Sequence, residues 1–186
     1  MKKNVFKAIF TLTVMGLLVC GICSCNEDED EKGKNGGDGY TPADSEGYVD
    51  LGLPSGTCWK AENEENAADA GYDFYTFDEA YDLFYKDHHL PNANQCRELI
   101  SECEWTWDKK GYRVVGPNGN SIFVPAAGKR ECEGEVNGIG NEGFYWSSDT
   151  NYWNSGLGFC FFFTSGNQTT GSISRCIGAS IRLVKK

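Results

Sequence analysis

Residues 104–124 read Glu104-Trp105-Thr106-Trp107-Asp108-Lys109-Lys110-Gly111-Tyr112-Arg113-Val114-Val115-Gly116-Pro117-Asn118-Gly119-Asn120-Ser121-Ile122-Phe123-Val124, and the fold class turns on them. Three runs rich in aromatic and β-branched residues, 104–107, 112–115 and 121–124, are separated by Asp-Lys-Lys-Gly and Gly-Pro-Asn-Gly-Asn. Those separators supply the backbone angles that tight turns need, so the stretch predicts an antiparallel meander. Upstream the spacing is helical. Thr76 with Glu79 three residues on forms a capping box, and Phe77, Ala80, Tyr81, Phe84 and Tyr85 recur near helical spacing, which predicts a helix over 77–86. A second helix is predicted from Asn92 to Glu104, with Cys96, Leu99, Ile100 and Cys103 on one face. Tyr48–Thr57 alternates apolar and polar residues and closes on Pro54 and Gly56, the mark of a first strand and turn. Downstream, a Gly-rich loop over 126–143 leads to strand-like segments Phe144–Ser147, Gly158–Phe163 and Ile173–Val184, the last two pairing around Ser165-Gly166-Asn167. Two helices followed by a loop-rich antiparallel sheet make an α+β domain over residues 46–186.

Composition bounds the rest. A chain of 186 residues that is 40% hydrophobic and 24% charged has room for one core. Its 17 Lys and Arg against 27 Asp and Glu give a net charge of −10. An excess of acid of that size repels phosphate backbones and argues against a nucleic-acid partner. Residues 1–24 open with Lys2, Lys3 and Lys7 and continue as an apolar run from Ala8 to Cys23, the pattern of an export signal rather than a fold element. Ile22-Cys23-Ser24-Cys25 resembles the bacterial lipoprotein signal, which makes Cys25 the lipidated residue and the membrane a partner through that anchor. Glu27 to Glu31 is an unbroken acidic run, and with the Gly-rich stretch after it makes residues 25–45 a lipidated, flexible tether. An acidic run in that place also resembles the signal that sends Bacteroidetes lipoproteins to the outer face of the outer membrane, so the expected location is the cell surface.

The motifs Tyr48-Val49-Asp50-Leu51-Gly52-Leu53-Pro54-Ser55-Gly56-Thr57, Cys103-Glu104-Trp105-Thr106-Trp107, Gly116-Pro117-Asn118-Gly119-Asn120 with Ser121 to Gly128, Tyr145-Trp146-Ser147-Ser148, and Arg175 with Gly178 and Ile181-Arg182-Leu183-Val184 resemble the Fibrobacter succinogenes major paralogous domain. That family is common among Bacteroidetes lipoproteins. The resemblance covers nearly all of 47–186 and implies a C-type-lectin-like fold, related to formylglycine-generating enzymes and to the variable proteins of diversity-generating retroelements. It implies no particular activity. The sequence departs from the family where Cys58 precedes Trp59 and an acidic stretch comes next.

Several chemistries compete for these residues. Calcium requires six to eight converging oxygens, whereas the acids between Glu62 and Asp87 are spread over a loop and a helix face and read as solvated. His88 and His89, ahead of Pro91, read as a helix-end cap. None of the cysteines carries a nucleophile motif, and none maps onto the cysteine pair of the formylglycine-generating enzymes. No metal, cofactor or catalytic activity is therefore expected.

Of nine cysteines, six lie in the domain: Cys58, Cys96, Cys103, Cys132, Cys160 and Cys176. Seven residues of predicted helix put Cys96 roughly 10 Å from Cys103, too far for a bridge. The preferred pairings are Cys58 with Cys103 and Cys160 with Cys176, in an exported domain that favours oxidation. The segment between Trp146 and Arg182 is rich in Tyr, Trp, Asn and Ser, residue types that bind with large contact area and adaptable hydrogen bonds. Variable proteins of diversity-generating retroelements carry their diversified residues in such a stretch. Tyr152, Trp153, Asn154 and Asn167 are therefore the candidate contacts for an unknown protein or glycan ligand. Two other roles stay open: a structural or adhesive part of a surface assembly, and an enzyme resembling the formylglycine-generating enzymes.

Overall fold

Both helices are set by reciprocal caps. Thr76 accepts the Glu79 N–H at 3.4 Å while the Glu79 carboxylate accepts the Thr76 N–H at 2.8 Å, which starts α1, Phe77–Phe84. Asn92 and Gln95 make the same exchange at 3.0 and 2.9 Å and start α2, Ala93–Glu102. The computed structural model describes residues 40–66, 68–69, 71–86 and 90–186. Cys25, His88, His89 and the tether before Tyr40 lie outside them.

The described strands are β1 Tyr48–Asp50, β2 Cys58–Lys60, β3 Glu104–Trp107, β4 Gly111–Val115, β5 Ser121–Pro125, β6 Lys129–Arg130, β7 Val136–Asn137, β8 Glu142–Thr150, β9 Leu157–Thr164, β10 Asn167–Ser174 and β11 Val184–Lys185. They form small antiparallel sheets in the orders β1-β2-β11, β3-β4-β5, β10-β9-β8 and β6-β7. Mixed helix and antiparallel sheet is the α+β class, and β3-β4-β5 is the meander expected from residues 104–124. The second helix stops two residues earlier than its spacing suggested, because Glu104 already pairs with Val115.

One strand is displaced from its expected place. The sequence pointed to Ile173–Val184, whereas the partner of β9 is Asn167–Ser174, in register from Asn167 opposite Thr164 to Ser174 opposite Leu157. The two-residue turn Ser165-Gly166 fixes that register immediately. Ala179, Ile181 and Leu183 are buried for another reason: their segment runs beside β8, where the Ser180 N–H donates to the Phe144 carbonyl at 2.9 Å and the Ser180 carbonyl accepts from the Trp146 N–H at 3.1 Å.

The sheet β10-β9-β8 divides the core in two. Tyr145, Phe161 and Phe163 pack with Trp59, Leu99 and Val114 on one side. Trp146 and Cys160 pack with Phe77, Ala179 and Ile181 on the other, and Phe162 is packed against them. Gly158 lets the second layer close, since a Cβ there would meet the Phe77 ring at 2.2 Å.

Arg182 is buried at the junction of these layers, with 1% of its surface exposed. Its guanidinium donates to the Lys60 carbonyl at 3.0 Å, to the Ala61 carbonyl, and to the Phe123 carbonyl at 3.0 Å. It thereby ties the C-terminal segment to β2 and β5. Burial pulls its pKa below the ordinary arginine value, and the nearby Tyr145, Glu62 and Glu64 work against that shift. Arg182→Met would leave three buried carbonyls without donors and is expected to lower unfolding free energy by about 3–5 kcal/mol in chemical denaturation. A loss below about 1 kcal/mol would mean that the guanidinium is not a tie between these segments.

Candidate functional site

Residues 151–156 connect β8 to β9, and asparagine side chains hold the connection in shape. Asn151 Oδ1 accepts the N–H groups of Trp153 at 2.9 Å and Asn154 at 3.1 Å, and Asn151 Nδ2 donates to Ser172 Oγ on β10 at 3.3 Å. Asn154 Oδ1 accepts the Gly156 N–H at 2.9 Å. These are Asx turns, in which a side chain takes the place of a backbone acceptor. Arg175 adds an outer brace, with its backbone N–H on the Gly156 carbonyl at 3.0 Å and its guanidinium on the Ser155 carbonyl at 3.1 Å.

Held on that frame, Tyr152 is 95% exposed and Trp153 97% exposed. Scattered exposed apolar residues are ordinary, but two adjacent aromatic rings in full solvent on a hydrogen-bonded loop are a ready contact surface. Beside the tip lies a groove of about 260 Å³ bordered by Arg97 of α2, Asp149 and Thr150 of β8, Phe159 of β9 and Ser172 of β10. The Arg97 guanidinium lies over the Phe159 ring at 5.1 Å, and Asp149 accepts the Ala93 N–H at the start of α2.

The four sequence-derived candidates therefore separate. Tyr152 and Trp153 form the tip. Asn154 sits with them, but its carboxamide oxygen shapes the loop. Asn167 is not part of this surface: it pairs with Thr164 at the opposite end of the β9–β10 hairpin, about 23 Å away at the strand rise. Arg97 and Asp149 were not among the candidates. Asp149 lies next to the Asn-Tyr-Trp-Asn-Ser-Gly segment, and the Asn151 to Asn154 spacing was a legible Asx signal; Arg97 arrives from a distant helix and left no local trace.

The acidic loop after Trp59 is structural where it is described. Asp69 is buried, accepts the Phe74 N–H at 2.7 Å and pairs with Arg130; Asp73 accepts the Asn66 N–H at 2.8 Å; Glu64 pairs with Lys60. Among the described residues no three His, Cys, Asp or Glu side chains converge as a metal cluster.

The cysteines are arranged otherwise than expected. The disulfide joins Cys132 to Cys176, with Cα atoms 5.0 Å apart, and Cys58, Cys96, Cys103 and Cys160 are free. The cause is the pairing of Arg130 with Gly178, antiparallel through bonds of 2.9 and 2.8 Å. In an antiparallel pair, the residue two beyond Arg130 faces the residue two before Gly178. The expected pairs fail on placement. Cys160 lies opposite Gly171 in mid-strand, five residues short of Cys176, while Cys58 on β2 and Cys103 at the end of α2 border different core layers. Burial pushes the Cys103 and Cys160 thiols up to about 12 and raises Cys58 and Cys96 as well, which holds all four protonated at neutral pH. Alkylation of the domain cysteines under denaturing, non-reducing conditions is expected to label those four and to spare Cys132 and Cys176. In the native protein Cys96 and Cys160 should stay unlabelled. Labelling of Cys132 before reduction would refute the pairing.

Comparison of the chain with family models, with curated proteins and with solved structures returned no match. No helix among the described residues is long and apolar enough to cross a membrane.

Proposed function

We propose that this chain is a cell-surface lipoprotein of the Fibrobacter succinogenes major paralogous family. In this reading the domain has a C-type-lectin-like fold and is a non-catalytic binding module, lipidated at Cys25, that offers Tyr152 and Trp153 to a protein or glycan ligand. The family motifs and the signal-like N-terminus support the first part. The observation that carries the second is the aromatic tip, which is fully exposed and braced by Asn151, Asn154 and Arg175. Fixing such a loop before binding lowers the ordering cost that a flexible loop would incur on contact. Aromatic anchors of this kind are the residues whose truncation most weakens an interface. The groove beside the tip adds a cation, a carboxylate and hydroxyls for orientation.

The test is a glycan and surface-protein array probed with the purified chain, repeated with Trp153→Ala. The variant is expected to bind its ligand at least about 30-fold more weakly, the equivalent of a 2 kcal/mol anchor. Its denaturation midpoint should be unchanged, because Trp153 buries nothing in the fold. A ligand held equally by Trp153→Ala and by Tyr152→Ala would contradict the assignment.

A further inference from the structure

From Thr150 to Ser174 the chain contains no charged side chain, although charged residues make up 24% of the whole. This interval holds the aromatic tip, all of β9 and all of β10. The strand β10 is the edge of its sheet, since the order β10-β9-β8 gives it one neighbour only. The register determines which of its backbone groups face outward. Asn167 and Thr164 flank a two-residue turn and so form a hydrogen-bonded pair; from there the pairs alternate. The N–H and C=O groups of Asn167, Thr169, Gly171 and Ile173 point to β9, and those of Gln168, Thr170 and Ser172 point away from it. Among the described residues none of these three makes a backbone hydrogen bond on the outer side. The free edge ends at Ser174, whose carbonyl accepts the Ile177 N–H at 3.1 Å.

Natural edge strands of this length are normally blunted by a lysine, a proline, a bulge or a covering segment. In Asn-Gln-Thr-Thr-Gly-Ser-Ile-Ser there is no charge and no proline, and the pairing with β9 runs through all eight residues without a shift; α2 packs against this strand as it does against β9 and β8, but makes no backbone hydrogen bond to its outward groups. Such an edge accepts an extended backbone and little else, because its donors and acceptors alternate at the spacing of a β ladder.

We infer that β10 pairs antiparallel with β10 of a second copy of this chain, about a two-fold axis at Thr170, to give a continuous sheet β8-β9-β10-β10-β9-β8. Two features select the second copy as the occupant. An axis at Thr170 sets Thr170 opposite Thr170 and Gln168 opposite Ser172, so a second copy of the same edge engages the N–H and C=O groups of all three outward residues at once. Thr–Thr is a favourable cross-strand pair. The charge-free interval also keeps the joint clear of like-charge contacts between two chains that each carry −10. An edge this short buries less than the roughly 1,200 Å² of a stable interface, so the dimer is weak and assembles at high concentration.

Sedimentation of the full chain in mild detergent over about three decades of concentration, up to about 1 mM, tests this. The expected result is a mass that rises toward the dimer. It should rise further with added salt, which screens the repulsion between acidic surfaces. Thr170→Pro removes an outward donor without touching the β9 ladder, and Thr170→Lys places two like charges on the axis; each should weaken dimerisation at least tenfold. Thr170→Val, which keeps the backbone, should leave it within about twofold. Circular dichroism of the three variants establishes that each is folded, and Thr170→Lys carries the test if Thr170→Pro does not fold. A chain that stays monomeric throughout, or dimerises equally with Lys at position 170, overturns the inference. Because Tyr152 and Trp153 are untouched, ligand binding by the tip and this pairing can fail separately.

Discussion

A buried guanidinium organises this domain. Arg182 donates to carbonyls contributed by β2, by the residue after it and by β5, and Ser180, two residues earlier, is hydrogen-bonded along β8. Removing an ion from water costs several kcal/mol, which multiple charge-assisted hydrogen bonds to fixed acceptors must offset. The C-terminal segment lies where those acceptors converge. That placement sets Ala179 and Ile181 in the layer with Trp146 and Phe77, and it fixes β8 against the sheet formed by the domain's two ends, β1-β2-β11.

A fixed β8 in turn fixes the aromatic tip. β8 and β9 are packed on both faces, so the loop between them starts and ends on rigid backbone. Within the loop, Asn151 and Asn154 satisfy the N–H groups that would otherwise have to find water. The disulfide acts on the same neighbourhood from the other side. Cys176 comes directly after Arg175, whose backbone and guanidinium bond the loop carbonyls, and the bridge to Cys132 holds that residue in place.

The parts of this arrangement that could be read from the chain are those encoded by neighbours in sequence. The Thr76–Glu79 cap, the helix start at Asn92 and the turns within 104–124 each place their chemistry within a few residues, and the hairpin turn is legible at Ser165-Gly166-Asn167, although Asn167 already belongs to β10. The parts that could not be read depend on residues far apart. Cys132 meets Cys176 only because Arg130 pairs with Gly178. The strand β10 has Ile173 as its one apolar side chain and lies against α2, so hydrophobic alternation points instead to 173–184, of which only Ile173 and Ser174 pair with β9 while Ala179, Ile181 and Leu183 enter the core beside β8. Composition places Asn167 with Trp153, whereas the hairpin carries it to the far end of the sheet, opposite Thr164. Arg97 reaches the groove from a helix some fifty residues earlier in the chain.

The aromatic tip is held in one shape before any ligand arrives. Amide hydrogen exchange of the ligand-free protein, read at Trp153, Asn154 and Gly156, measures this. Exchange at these amides should be slowed about five- to tenfold relative to unstructured chain, and Asn151→Ala should remove the protection at Trp153, reduce it at Asn154, whose N–H keeps the Asn151 carbonyl at 3.3 Å, and spare Gly156. Exchange of all three amides at the unstructured rate in the native protein would contradict the account.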